Sequence, residues 1–180
     1  MIAIVIYEGV SGHEALGALA ACHAAGAAAE LVGEEALVRT GEGARLVPAR
    51  LGFDGLGGAD AVVLPGGDVR KALASAPLAK ALRARRGKWL LAAGDGVRVA
   101  AHAGLAEGRR VSLAPGRGAL PGTQPEGARL VADGRLLTSF PGDALVDLVL
   151  HYVGRELGDE AGRRAAHALG REHATFALGA

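Results

Sequence analysis

Two hydrophobic periods divide the chain. Residues 2–7, IAIVIY, are continuously apolar and rich in β-branched side chains. That pattern predicts a strand covered on both faces, as in a parallel sheet. Gly9 and Gly12 mark a turn, and the Ala- and Leu-rich stretch 13–25 predicts a helix stopped by Gly26. Residues 28–32 supply the next strand, completing a βαβ unit with an expected right-handed crossover. The same strand signal returns at 60–64 (DAVVL) and 88–93 (KWLLAA). Helices are predicted at 68–74, at 77–86 with Pro77 in its first turn, at 97–103, and at 141–156 with Pro141 at its start. A weaker helix is expected over 159–169.

Shorter signals fill the gaps. Residues 36–39 and 44–49 read as short strands around a Gly-Glu-Gly turn, 51–59 as a loop, and 109–113 as a short strand. Residues 115–127 hold three Pro and four Gly, which predicts a loop and a candidate site rim. Residues 128–132 and 135–139 flank Asp133 and Gly134, a strong hairpin signal. Strands alternating with helices predict a three-layer α/β/α sandwich with a mostly parallel sheet. No internal repeat or linker divides the 180 residues, so a single domain is expected, with 158–180 as a C-terminal extension of unassigned role.

Composition narrows the function classes. Half the residues are hydrophobic but only 3% are aromatic, so Leu, Val, Ile and Ala must fill the core. The formal net charge is +1, without a basic arm or acidic tail, which gives no case for a nucleic-acid or anionic-membrane partner. The basic clusters at 83–88 and 109–110 read as solvated ends of helices or turns. Cys22 is the single cysteine, which excludes an intrachain disulfide and a cysteine-based zinc site. No paired histidine motif suggests another metal, and neither a P-loop nor GxGxxG spacing calls for a nucleotide cofactor, so none is expected. The N-terminal run reads as a strand rather than a leader, and no apolar stretch reaches spanning length. The expected location is the cytoplasm.

Chemistry in an open α/β sheet sits at the carboxyl ends of its strands. Three turns fall there: 8–14, 65–68 and 94–96. Glu14 is the candidate catalytic carboxylate, read either as a site residue or as a first-turn acid stabilised by the helix dipole. Gly66 and Gly67 are candidate backbone N–H donors, or simply a tight turn. Asp95 is a weaker candidate carboxylate, with helix capping the favoured role, and Asp68 carries the same ambiguity.

In order along the chain stand a strand followed by Tyr7-Glu8-Gly9-Val10 and the acid Glu14, then DAVVLPGG at 60–67. The strand and elbow at 89–96 come next, with A-G-L-A-E-G-R-R at 103–110, and then LLTSFPGDA at 136–144. In that order and spacing the sequence resembles the ThiJ/PfpI superfamily over about residues 1–157. The resemblance implies the flavodoxin-like, class I glutamine amidotransferase-like fold, and commonly a homodimer. It also implies a nucleophilic cysteine at the elbow, a neighbouring acid at Glu14, and an oxyanion hole formed by the glycine turn and the residue after the cysteine, here Asp95. Counting back from A-G-L-A-E-G-R-R puts the cysteine position at Gly94, and a histidine position at about Ala114.

Glycine has no side chain to attack a carbonyl, so cysteine-dependent amidase, protease or glyoxalase chemistry is expected to be absent. Cys22 lies about two helical turns beyond Glu14, roughly 12 Å along the axis, and reads as a buried hydrophobe. The leading expectation is a non-catalytic or altered member that binds a small metabolite near Glu14, Gly67, Gly94 and Asp95, or acts in assembly or stress response. The alternative is a cysteine-independent hydratase, lyase or hydrolase using Glu14 as general acid/base.

Overall fold

A computed structural model of the protein describes residues 1–171. The apolar runs become the central strands. β1 (Ile2–Val5) and β6 (Ala61–Leu64) are buried along their whole length, as is β7 (Trp89–Ala93). Chain order is β1, α1 (Gly12–Ala24), β2 (Ala29–Gly33), β3 (Val38–Arg39), β4 (Arg45–Leu46), β5 (Arg50–Leu51), a 3-10 turn (Asp54–Gly58), β6, α2 (Arg70–Ala74) and α3 (Ala76–Arg83). Then follow β7, α4 (Gly96–His102), β8 (Arg110–Ser112), β9 (Gln124–Glu126), β10 (Leu130–Asp133), β11 (Leu136–Ser139), α5 (Ala144–Leu157) and α6 (Asp159–Ala168).

Seven strands form the main sheet in the order β10-β11-β7-β6-β1-β2-β5, parallel except for the β10–β11 hairpin. Helices α1, α5 and α6 pack together as one layer, and α2, α3 and α4 as the other. The result is the expected three-layer sandwich. Small residues let the helices of one layer approach closely: Ala15, Ala18, Ala21 and Cys22 of α1 are fully buried, and a Cβ added to Gly17 would lie 2.9 Å from Val146 on α5. Burying each large aliphatic side chain, such as Ile4, Leu91 or Leu148, contributes about 1.5–3 kcal/mol. The few aromatics are used locally: Trp89 packs edge-on against Tyr152 at 5.5 Å, with the Arg155 guanidinium 4.9 Å from its ring centre.

Three expectations need correction. Residues 50–51 join the sheet edge as β5 and 54–58 form the 3-10 turn, where a loop was expected. Within the expected loop 115–127, β9 pairs in parallel with β8. The last long helix begins at Ala144 rather than Pro141, because Gly142 (φ +80°) turns its N–H away toward Glu14. Of the 158–180 extension, α6 packs on α1 and α5 with Ala161, Ala165 and Ala166 buried; His173 lies outside the described residues. No helix among the described residues is long and apolar enough to cross a membrane.

Candidate functional site

Glu14 lies in the first turn of α1. Ser11 caps this helix by accepting from the Glu14 N–H at 3.3 Å. Glu42, carried on the β3–β4 turn, closes the cap by accepting from the Gly12 N–H at 2.9 Å and from the Ser11 hydroxyl at 3.1 Å. Desolvation acts to raise the Glu42 pKa, but these bonds, its own N–H and Thr40 outweigh it and hold the carboxyl down at about 2.

The Glu14 side chain points inward and is only 2% exposed. Its Oε2 accepts from the Gly66 N–H and its Oε1 from the Gly142 N–H, both at 2.6 Å. Burial pushes its pKa above the ordinary carboxylate range, while the two N–H donors pull it back. Each carboxylate oxygen is therefore engaged by main chain. The carboxylate joins the turn after β6 to the segment between β11 and α5, 128 residues along the chain from it.

The turn after β6 is fixed from below. The Tyr7 hydroxyl donates toward the Pro65 carbonyl at 2.5 Å and the Gly66 carbonyl at 2.9 Å. Burial, then the nearby Glu14, Asp95 and Asp68, push its pKa far up, so it stays a neutral donor. Gly67 (φ +115°) bridges Val10, and a Cβ there would sit 2.6 Å from the Ser11 nitrogen, so the turn requires glycine. Asp68 accepts from the Arg70 N–H at 3.2 Å and pairs with its guanidinium, beside the start of α2.

Gly94 forms the tip of the β7–α4 turn with φ +50°, and its N–H donates to the Ser139 carbonyl at 3.0 Å. A Cβ built on Gly66 would lie 3.3 Å from both Glu14 Oε2 and the Asp95 nitrogen, so the elbow and the carboxylate meet at the glycine turn. A Cβ built on Gly94 itself would meet the Pro141 Cβ at 2.9 Å. The cavity bounded by Gly94, Asp95, Ser139 and Pro141 holds about 10 Å³, room for one water at most. The fully buried Ser139, on its wall, has an Oγ without a hydrogen-bond partner among the described residues.

The expected cap role of Asp95 is corrected. Its side chain makes no cap bond; it pairs instead with Arg98 at 3.1 Å and Arg117 at 3.0 Å. Arg117 comes from the loop read as a site rim. The Gly66 N–H, expected as an oxyanion donor, is spent on Glu14. His13 is exposed and lies 2.6 Å from Asp143. Cys22 is fully buried, and burial pushes its thiol up to about 12.

Sequence reasoning missed Tyr7, Glu42, Ser139, Pro141 and Gly142 as parts of this centre. The fragment LLTSFPGDA carried three of them but was read as a strand and a helix start. Larger openings lie alongside. One of about 620 Å³ is lined by Tyr7, Glu8, Glu34, Leu37 and Phe53, and another of about 490 Å³ shares Glu8 and Lys71 with it. Among the described residues no group of three or more His, Cys, Asp or Glu side chains could hold a metal ion.

Comparison with known proteins fits this architecture. No curated protein matches the sequence. Drosophila melanogaster DJ-1beta superposes with a TM-score of 0.87 at 21% identity, covering 95% of this chain and 97% of its own. A DJ-1 superfamily protein of Salmonella typhimurium, solved as a cysteine-to-alanine mutant, gives 0.83 at 26% identity over 95% and 98%. Schizosaccharomyces pombe DJ-1 gives 0.83 at 17% identity over 95% and 99%. The DJ-1/PfpI family model matches residues 1–155, and the chain belongs to the DJ-1/PfpI family.

Proposed function

We propose that this chain is a member of the family without the cysteine nucleophile, acting by binding rather than turnover at the elbow. Gly94 stands at the nucleophile position in this reading, and Glu14 has become a latch between two main-chain segments. The observation that carries it is the filling of the elbow. The Cβ direction of Gly94 is occupied by Pro141, and both Glu14 oxygens accept from backbone N–H groups. A substrate carbonyl would find neither a nucleophile nor an open carboxylate there, and about 10 Å³ admits no metabolite.

Ligand binding therefore shifts from the elbow to the adjoining cavity of about 620 Å³ at the carboxyl ends of β1 and β2, a volume ordinary for small-molecule sites. The family resemblance further supports a homodimer, which sedimentation of the purified chain tests directly, and the cytoplasm stays the expected location.

The test is turnover. Purified protein is assayed against amides, glyoxals and isonitriles beside Glu14→Ala. The expected result is no turnover by either. Clear activity that disappears in Glu14→Ala would overturn the reading and favour a general acid/base at Glu14.

A further inference from the structure

At the opposite end of the sheet the chain gathers positive charge. The basic stretches at 83–88 and 109–110, unremarkable when read separately, are brought together because β11 pairs with β7 and β8 packs against β10 and β11. Arg85, Arg86, Lys88, Arg109 and Arg135 line one concave site of about 280 Å³, with Glu107 the sole carboxylate on its wall. Three chain segments converge there: the α3–β7 connection, the start of β8, and the β10–β11 turn.

The cations are held in place, largely without neutralisation. Arg86 donates to the Gly104 carbonyl at 3.3 Å, Lys88 to the Gly57 carbonyl at 2.8 Å, and Arg135 to the Gly87 carbonyl at 3.0 Å. Among the described residues only Arg109 of these five has a carboxylate partner in contact, Asp133 at 2.9 Å. Arg85 is only 2% exposed. It donates to the Leu56, Ala59 and Trp89 carbonyls, while its buried Nε–H has no hydrogen-bond partner among the described residues. Carbonyl dipoles contact this buried guanidinium, and the carboxylate that acts on it through space, Asp60, is itself paired with the N-terminal ammonium, so part of the cost of burying the charge is left for a bound anion to offset. Backbone anchoring also means that little side-chain entropy remains to be lost when an anion arrives.

We propose that this cavity is a binding site for a small phosphate-bearing anion, separate from the elbow centre and from the cavity above β1 and β2. Several fixed guanidinium groups suit the paired oxygens of a phosphate better than a single carboxylate. The site is concave and small, and the whole chain carries a net charge of only +1, so the charge forms a pocket rather than a track for a nucleic acid.

Isothermal titration calorimetry of the full chain with pyrophosphate, at low and at moderate salt, tests the assignment. Saturable one-to-one binding is expected. It should weaken about tenfold or more in the double variant Arg86→Gln/Arg135→Gln, and fall as salt screens the charges. Both substituted residues are exposed, and circular dichroism of the double variant confirms that it is folded. Arg70→Gln, an exposed arginine at the other end of the sheet, should leave binding unchanged. Three results would each overturn the proposal: no saturable heat at millimolar pyrophosphate, equal binding by wild type and the double variant, or a single-stranded oligonucleotide that binds more tightly and displaces the pyrophosphate.

Discussion

Replacing Glu14 by alanine should cost stability far beyond an ordinary first-turn substitution. The side chain accepts two N–H bonds at 2.6 Å, from residues 52 and 128 positions away, and is only 2% exposed. Alanine strands both buried donors. Two hydrogen bonds to a charged acceptor are worth roughly 3–6 kcal/mol gross. Removing the carboxyl also recovers the cost of burying it, which leaves a net loss of about 2–4 kcal/mol. Urea unfolding followed by circular dichroism should show a lower midpoint with an unchanged slope, and melting should fall by about 5–15 °C. The pH dependence has a definite sign. The folded-state pKa of Glu14 lies above its ordinary value of 4.5, so the folded protein holds this proton more tightly than the unfolded chain does. That contribution is complete below about 4.5 and is lost as pH rises through the folded value. The stability gap between wild type and Glu14→Ala should therefore narrow as the pH is raised from 4.5. A loss under about 1 kcal/mol, or a gap that widens over that range, would refute the latch.

The other predictions concern neighbouring positions. Gly94→Ala should destabilise by about 2–4 kcal/mol, since it forces a side chain into positive φ and against Pro141; unchanged urea unfolding would contradict the packed elbow. Glu42, held at about 2 when folded, contributes stability above its unfolded value of 4.5 and loses it as pH falls toward 2. Glu42→Gln should therefore flatten the acid limb of a stability–pH curve, and an unaltered limb would count against the cap. Cys22 should react with a disulfide reagent at pH 8 about a hundredfold or more slowly in the native protein than in urea, and equal rates would contradict its burial.

The amino-acid sequence by itself determined the layers. Continuous apolar runs at 2–7, 60–64 and 88–93 have one stable environment, a sheet covered on both faces, and the intervening periodic stretches supply the cover. The hairpin at Asp133 and Gly134 and the cap of α3 at Ser75 are equally local, because turn and cap chemistry depends on adjacent residues. Glu14, Gly66 and Gly94 were legible as members of one centre because each ends or follows a core strand. What they do there was settled only in three dimensions. Pro141 and Gly142 have the local signature of a helix start, yet they leave the helix to fill the space beyond Gly94 and to bond Glu14. Asp95 has the signature of a cap, yet it pairs with Arg98 on its own helix and with Arg117 from the 115–127 loop. In both cases a partner distant along the chain takes part in what the residue does, and spacing within one segment holds no record of that partner.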